Sequence, residues 1–212
     1  MWPIGTYGHF LRKIKGQESR GRKVDYFGIL FCDPRQSKAR EYILNYLEIF
    51  HRRSSCHIDF YIPGFIPEAE FYGDKSDGDI CISGRNYLFD KDSYIDFCTK
   101  FEKDFGVEFP FSATLVLLEY KSGNFSFARK MVFELEASEE GVKSAGKLFL
   151  NIFRCAEEGK MEQTLDDLSE SLSASTRGGT AIAGAKVALS FLGVNLDPLF
   201  DQYKKIQRFR VQ

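Results

Sequence analysis

The sequence predicts an α/β protein: a central mixed sheet built in the order βαβαββα, followed by a helical C-terminal extension. Three observations carry that expectation. Residues 24–62 read as a strand, an amphipathic helix and a second strand, and such a unit gives parallel strands with a right-handed crossover. Residues 112–136 read as two strands about a tight turn, which supplies antiparallel partners. Two further amphipathic helices flank that pair.

Composition agrees. Of the 212 residues 43% are apolar, and 29 basic residues face 30 acidic ones. A disordered chain would have less apolar mass and more net charge. With 6 Pro and 18 Gly the chain is neither collagen-like nor Pro/Gly-rich. The balanced charge argues against binding a polyanion over the whole surface. Phe, at 21, outnumbers Tyr at 10 and Trp at 1, and these rings are expected to cement helices onto the sheet.

Three segments are expected: a basic arm at 1–23, an α/β domain at 24–156 with an insertion near 63–90, and the helical extension at 157–212. Residues 12–23 hold six basic residues and one acidic one, and read as a solvated, mobile arm or loop. Val24–Cys32 is a continuous apolar run, as in a strand buried on both faces. Asp33 then suits a helix N-cap and Pro34 the first helical position. Ala39, Tyr42, Ile43, Tyr46, Leu47 and Phe50 form one apolar stripe. His57–Ile62 is the second strand, and Pro63 ends it. The insertion reads as a loop excursion with a small hairpin around Asp79–Ser83. Asp90 or Asp92 caps a second helix bearing Tyr94, Cys98, Phe101 and Phe105, and Gly106 stops it.

Ser112–Tyr120 is a strand, Lys121–Asn124 a turn, and Phe125–Glu136 an alternating partner. On that partner Met131, Phe133 and Leu135 face one way and Lys130, Glu134 and Glu136 the other. Ser138 opens a third helix with Val142, Ala145, Phe149, Ile152, Phe153 and Ala156 at helical spacing. In the extension, Thr164 opens a short helix and Ser173–Gly179 is a link. Thr180–Leu192 is an Ala-rich apolar helix, and the chain closes on Lys204, Lys205, Arg208 and Arg210.

The order of elements, with its closing antiparallel hairpin, resembles the thioredoxin-like fold superfamily over about residues 24–156. Phe31-Cys32-Asp33-Pro34-Arg35 is similar to the family's redox turn, an aromatic followed by Cys-Gly-Pro-Cys. The resemblance makes Cys32 the nucleophilic cysteine and Pro34 the turn proline, while Arg35 stands in place of the resolving cysteine. It makes Pro110 the cis-proline candidate. Two departures are visible: residues intervene between Pro110 and the following strand, and the insertion is long for the family.

Two readings of Cys32 follow. At a helix N-terminus beside Arg35 its thiolate would be stabilised, and without a partner cysteine it would work as a monothiol. At the end of an apolar strand it is a small buried hydrophobe, and this simpler reading is preferred. The leading expectation is therefore a non-catalytic, redox-inactive thioredoxin-like module for protein–protein interaction or assembly. The alternatives are a monothiol redox or glutathione-dependent enzyme using Cys32, Pro34, Arg35 and Pro110, and an effector gripping an anionic partner through its basic termini. A protein partner or self-association is expected through the 180–193 helix; nucleic acid finds only the 12–23 arm.

No cofactor motif is read. Gly178-Gly179 lacks a P-loop lysine, and Asp74, Asp77 and Asp79 lack the closing Glu of an EF-hand loop. Cys56-His57 with His51 is a poor tetrahedral set, so no metal is expected. Five wide-spaced cysteines with no CxxC suit a reducing cytoplasm, and no run reaches the length of a membrane helix.

Overall fold

The computed structural model describes residues 1–18, 26–36, 40–41, 43–54, 58–73, 76–106, 113–121, 124–135, 154–155, 157–160 and 210–211. They form a mixed α/β structure with two sheets. The main sheet is made by β1 (Trp2–Ile4), β2 (Tyr26–Phe31), β3 (Asp59–Pro63), β7 (Ala113–Lys121), β8 (Asn124–Leu135) and β9 (Arg210–Val211). Its spatial order is β1-β3-β2-β7-β8-β9. β3 runs parallel to β1 and β2, and β7, β8 and β9 add antiparallel neighbours in turn. The smaller sheet joins β4 (Phe65–Pro67), β5 (Asp79–Ile82) and β6 (Arg85–Phe89) in the antiparallel order β4-β6-β5. Three helices accompany them: α1 (Tyr7–Glu18), α2 (Leu47–Ser54) and α3 (Lys91–Phe105).

The β2 strand shows why the apolar run at 24–32 has no alternation. Every residue from Tyr26 to Phe31 is buried. Phe27, Ile29 and Phe31 join Tyr7, Phe10 and Ile14 of α1 and Phe97, Phe101 and Phe105 of α3 in one core cluster. The rings interlock, with centroids 5.1 Å apart for Phe31–Phe101, 4.4 Å for Phe101–Phe105 and 5.3 Å for Phe10–Tyr61. Burial of each such side chain contributes on the order of 2–3 kcal/mol. On the remaining face Gly28 leaves room for the Phe60 ring, which a Cβ there would strike. The expectation that phenylalanines cement helices to the sheet holds on the α1/α3 side.

The segment expected as a basic arm is, as far as Glu18, a strand and a helix. Tyr7, Phe10 and Ile14 are buried and recur at helical spacing. The stripe begins upstream of the basic residues, so a reading of 12–23 alone misses it. Tyr7 also donates from its hydroxyl to Asp104 Oδ2 at 2.7 Å, which ties α1 to the end of α3.

The single helix expected after Pro34 is broken. Residues 34–36 form a turn, Arg40 and Glu41 are helical as expected, Leu44–Tyr46 form a 3-10 turn, and α2 takes up the helix again at Leu47. Asn45 supplies a cause: its Nδ2 donates to the Glu41 carbonyl at 3.2 Å, competing for the acceptor a regular helix would use. Ile43 and Leu47 of the expected stripe are buried.

The other elements follow the sequence closely. Asp90 caps α3, its carboxylate accepting from Asp92 N and Ser93 N, and Gly106 ends it in the left-handed region at φ 59°. The hairpin in the insertion is β5–β6, closed by Ser83 and Gly84 at φ 52° and 73°. The insertion also contains β4, which the loop reading omits. On β8, Val132 is buried although it shares parity with Lys130 and Glu134; it is drawn into the α1/α3 core beside Val116.

Of the third helix and the C-terminal extension, only Arg154–Cys155 and 157–160 before the β9 pair are described, with Arg154, Cys155 and Glu157 helical. The Thr164 and 180–193 helices lie outside the described residues. No helix among the described residues is long and apolar enough to cross a membrane.

Candidate functional site

The site favoured by sequence is the turn after β2. Cys32 is fully buried there. Asp33 and Gln36 close the turn through a Gln36 N–H bond to the Asp33 carbonyl at 3.2 Å. Pro34 occupies the second turn position, where its fixed φ is favourable. Past the turn, Arg40 N donates to Gln36 O at 3.1 Å, a helical bond.

Asp33 is turned onto its own neighbour. Its Oδ1 accepts from Arg35 N and Arg35 Nε, both at 2.9 Å, and its Oδ2 accepts from Arg35 Nε at 3.0 Å. Burial pushes the Asp33 carboxyl up, but the Arg35 hydrogen bonds and nearby Lys91 outweigh it and hold the group below its ordinary value. Arg35 is correspondingly committed to Asp33, whose hydrogen bond raises it further. The charge expected to stabilise a Cys32 thiolate is thus already neutralised.

The thiol responds to this setting. Burial, reinforced by the Asp33 carboxylate, pushes Cys32 well above the ordinary thiol range. Two groups on α3 belong to the same neighbourhood. Tyr94 is raised mainly by burial, with contributions from Cys98, Cys32 and Asp33. Cys98, hydrogen-bonded to Tyr94, is pushed up to about 12 by burial. Protonated thiols are poor nucleophiles, so this arrangement disfavours thiol chemistry.

The insertion roofs the turn. A Cβ built on Gly78 would stand 2.7 Å from Pro34 Cβ and 2.9 Å from Pro34 Cγ, so the backbone at Gly78 lies directly against the proline ring. Asp77 adds its charge toward Arg35. Of the sequence-predicted residues, Cys32, Pro34 and Arg35 therefore share one turn, while Pro110 lies outside the described residues. Sequence reasoning missed Gly78, Tyr94 and Cys98. The Cys98 contact was accessible only as a helix-face position, and the Gly78 contact carries no local signal.

A second polar cluster sits at the other end of the sheet. Asp59, 7% exposed, accepts from Trp2 Nε1 at 3.3 Å through Oδ1, while its Oδ2 has no hydrogen-bond partner among the described residues. The Lys13 ammonium lies 5.2 Å from the centre of the Trp2 ring. The aspartate within HIDFYI is the one sequence hint of this site. No group of three or more metal-ligating side chains occurs among the described residues; Cys56, His57 and Asp74 lie outside them. Comparison of the chain with protein-family models, with curated proteins and with solved structures gave no match.

Proposed function

We propose that this chain is a thioredoxin-like binding or assembly module in which Cys32 serves the core and does no redox chemistry. The observation that carries the reading is the closed Cys32 turn: a fully buried thiol, an Asp33–Arg35 pair spent on itself, and Gly78 against Pro34. The scaffold half is supported by the strand order β3-β2-β7-β8, with β2 and β3 parallel and β7 antiparallel to β2. It is the order that the resemblance over residues 24–156 implies. With chemistry at the turn disfavoured, binding becomes the economical role for such a scaffold.

The test compares wild type with Cys32→Ser. Neither protein is expected to reduce a disulfide such as oxidised glutathione or to consume peroxide. Turnover by wild type that disappears in Cys32→Ser would overturn the reading in favour of a monothiol enzyme. The partner remains to be found by binding measurements. Self-association through residues 180–193 is checked by comparing the sedimentation of the full chain with that of an Ile182→Asp variant.

A further inference from the structure

The solvent face of α1 carries charge of one sign. Tyr7, Phe10 and Ile14 turn the other face of the helix into the core. With about 3.6 residues per turn, Arg12 stands opposite that stripe, and Lys13 and Lys15 lie on its two flanks. Arg12 and Lys15 are exposed and Lys13 is half-buried. From Tyr7 to Gln17 the helix has no acidic residue. Among the described residues Arg12, Lys13 and Lys15 form no ion pair. The surface of α3 is built differently: there Lys100 is paired with Asp96 at 2.7 Å, one turn away.

Trp2 brings an aromatic ring to the edge of this row. Lys13 Nζ lies 5.2 Å from its ring centre, and the residue is 45% exposed. The indole N–H is held by Asp59 at 3.3 Å, which orients the ring. Gly8 and Gly16 stand four residues to either side of Arg12, so the three share one crest of the helix. A glycine inside a helix costs stability relative to alanine. Yet a Cβ at either position would meet nothing within 4 Å among the described residues. Packing among those residues gives no reason for these glycines, whereas a chain lying close along the crest does. His9 is left out of the count, because the Glu70 carboxylate acts on it.

We propose that the solvent face of α1, with Trp2 at its edge, binds single-stranded nucleic acid. Arg12, Lys13 and Lys15 take backbone phosphates, and the Trp2 ring stacks on an unpaired base. The near-zero net charge of the chain is no obstacle, because the positive charge is gathered on one helix face. A lipid surface fits less well, since Tyr7, Phe10 and Ile14 are already committed to the core and leave α1 no apolar face to insert. The proposal names a surface apart from the Cys32 turn and does not depend on the function assigned above.

Trp2 is the one tryptophan of the chain, so tryptophan fluorescence reads this site directly. The full chain is titrated with oligothymidylate about 12 nucleotides long, within the range of known single-strand sites. Quenching of Trp2 is expected as a base stacks on it. Three phosphate contacts predict that raising salt from about 50 to about 200 mM weakens binding about 20-fold. In Arg12→Ala/Lys15→Ala, with one contact left, the same step should weaken it only about threefold. Trp2→Ala, followed by anisotropy of a labelled strand, should bind about tenfold more weakly. If that variant fails to fold, quenching in the wild-type chain decides. Lys100→Ala on α3 should bind as wild type does. The same strand paired with its complement should leave Trp2 unquenched. Absent quenching, salt-independent binding, an equal loss in Lys100→Ala, or equal quenching by the duplex would each overturn the proposal. So would a Trp2 response to phosphatidylserine vesicles without one to the oligonucleotide.

Discussion

The two sheets of this protein are secured by different physics. The main sheet lies against a layer of rings from α1 and α3, where Phe10, Phe31, Phe97 and Phe101 are fully buried. The small sheet has buried residues at Phe65, Ile80, Ile82 and Phe89, but its β5 strand is also held by Arg40–Asp79 at the open end of the hairpin and Glu48–Ser83 at its tip, both at the surface. Apolar burial is insensitive to salt and steeply sensitive to shape, whereas exposed ion pairs are the reverse. A perturbation can therefore be chosen to strike one region and spare the other.

The largest effect is expected from Phe101→Ala, which empties the centre of the ring layer. A loss of about 3–5 kcal/mol in denaturant unfolding is expected. A loss below about 1 kcal/mol would show that the rings are not the main fastening. Gly28→Ala probes the opposite face, where the new methyl meets the Phe60 ring. About 1–3 kcal/mol should be lost to overpacking, measured in the same way. Asp90→Ala strips the α3 cap and should lower stability by about 1 kcal/mol, with helix content otherwise retained.

The pH response sharpens the comparison at the turn. The folded state raises the Cys32 thiol above its unfolded value, so the fold favours the protonated form. That contribution is fully present below about pH 8.5, the ordinary thiol value, and is lost as the pH rises beyond it. Cys32→Ala lacks the titrating group. The stability of wild type relative to this variant is expected to fall between about pH 8 and 10, measured by urea unfolding at each pH. The smallest effect belongs to Arg40→Ala, where less than about 1 kcal/mol of global stability should be lost.

Much of the scaffold was legible because its signals are local. Asp90 and Gly106 bracket α3 by cap chemistry, and the apolar run at β2 announces a strand buried on both sides. Ser83-Gly84 similarly closes the insertion hairpin. What was not legible depends on partners distant in the chain. Tyr7 and Phe10 look unremarkable until Phe97 arrives to pack on them. The exception is the break before α2, where the local bond of Asn45 to the Glu41 carbonyl carries no strong sequence signal. At the candidate site, sequence could name Cys32, Pro34 and Arg35, but not that Asp33 would occupy Arg35 or that Gly78 would seal the turn. Those facts decide between an exposed thiolate and a buried thiol; the Asp33–Arg35 pairing is local but set by side-chain geometry, and the Gly78 contact joins residues 44 positions apart.

The order in which the two sheets assemble follows from their registers. The β5–β6 hairpin joins Ile82 to Arg85 across a two-residue turn. Such a ribbon forms in about 1–10 μs. The central pair of the main sheet must bring Phe31 to Thr114 and Tyr26 to Glu119. The stretch between them includes the whole insertion, and closing so long a loop slows folding. The hairpin should therefore form while the strands destined to flank it in sequence are still apart. The protein's most lightly fastened region is then among its earliest to take shape, and folding speed and final security need not rank its parts in the same order.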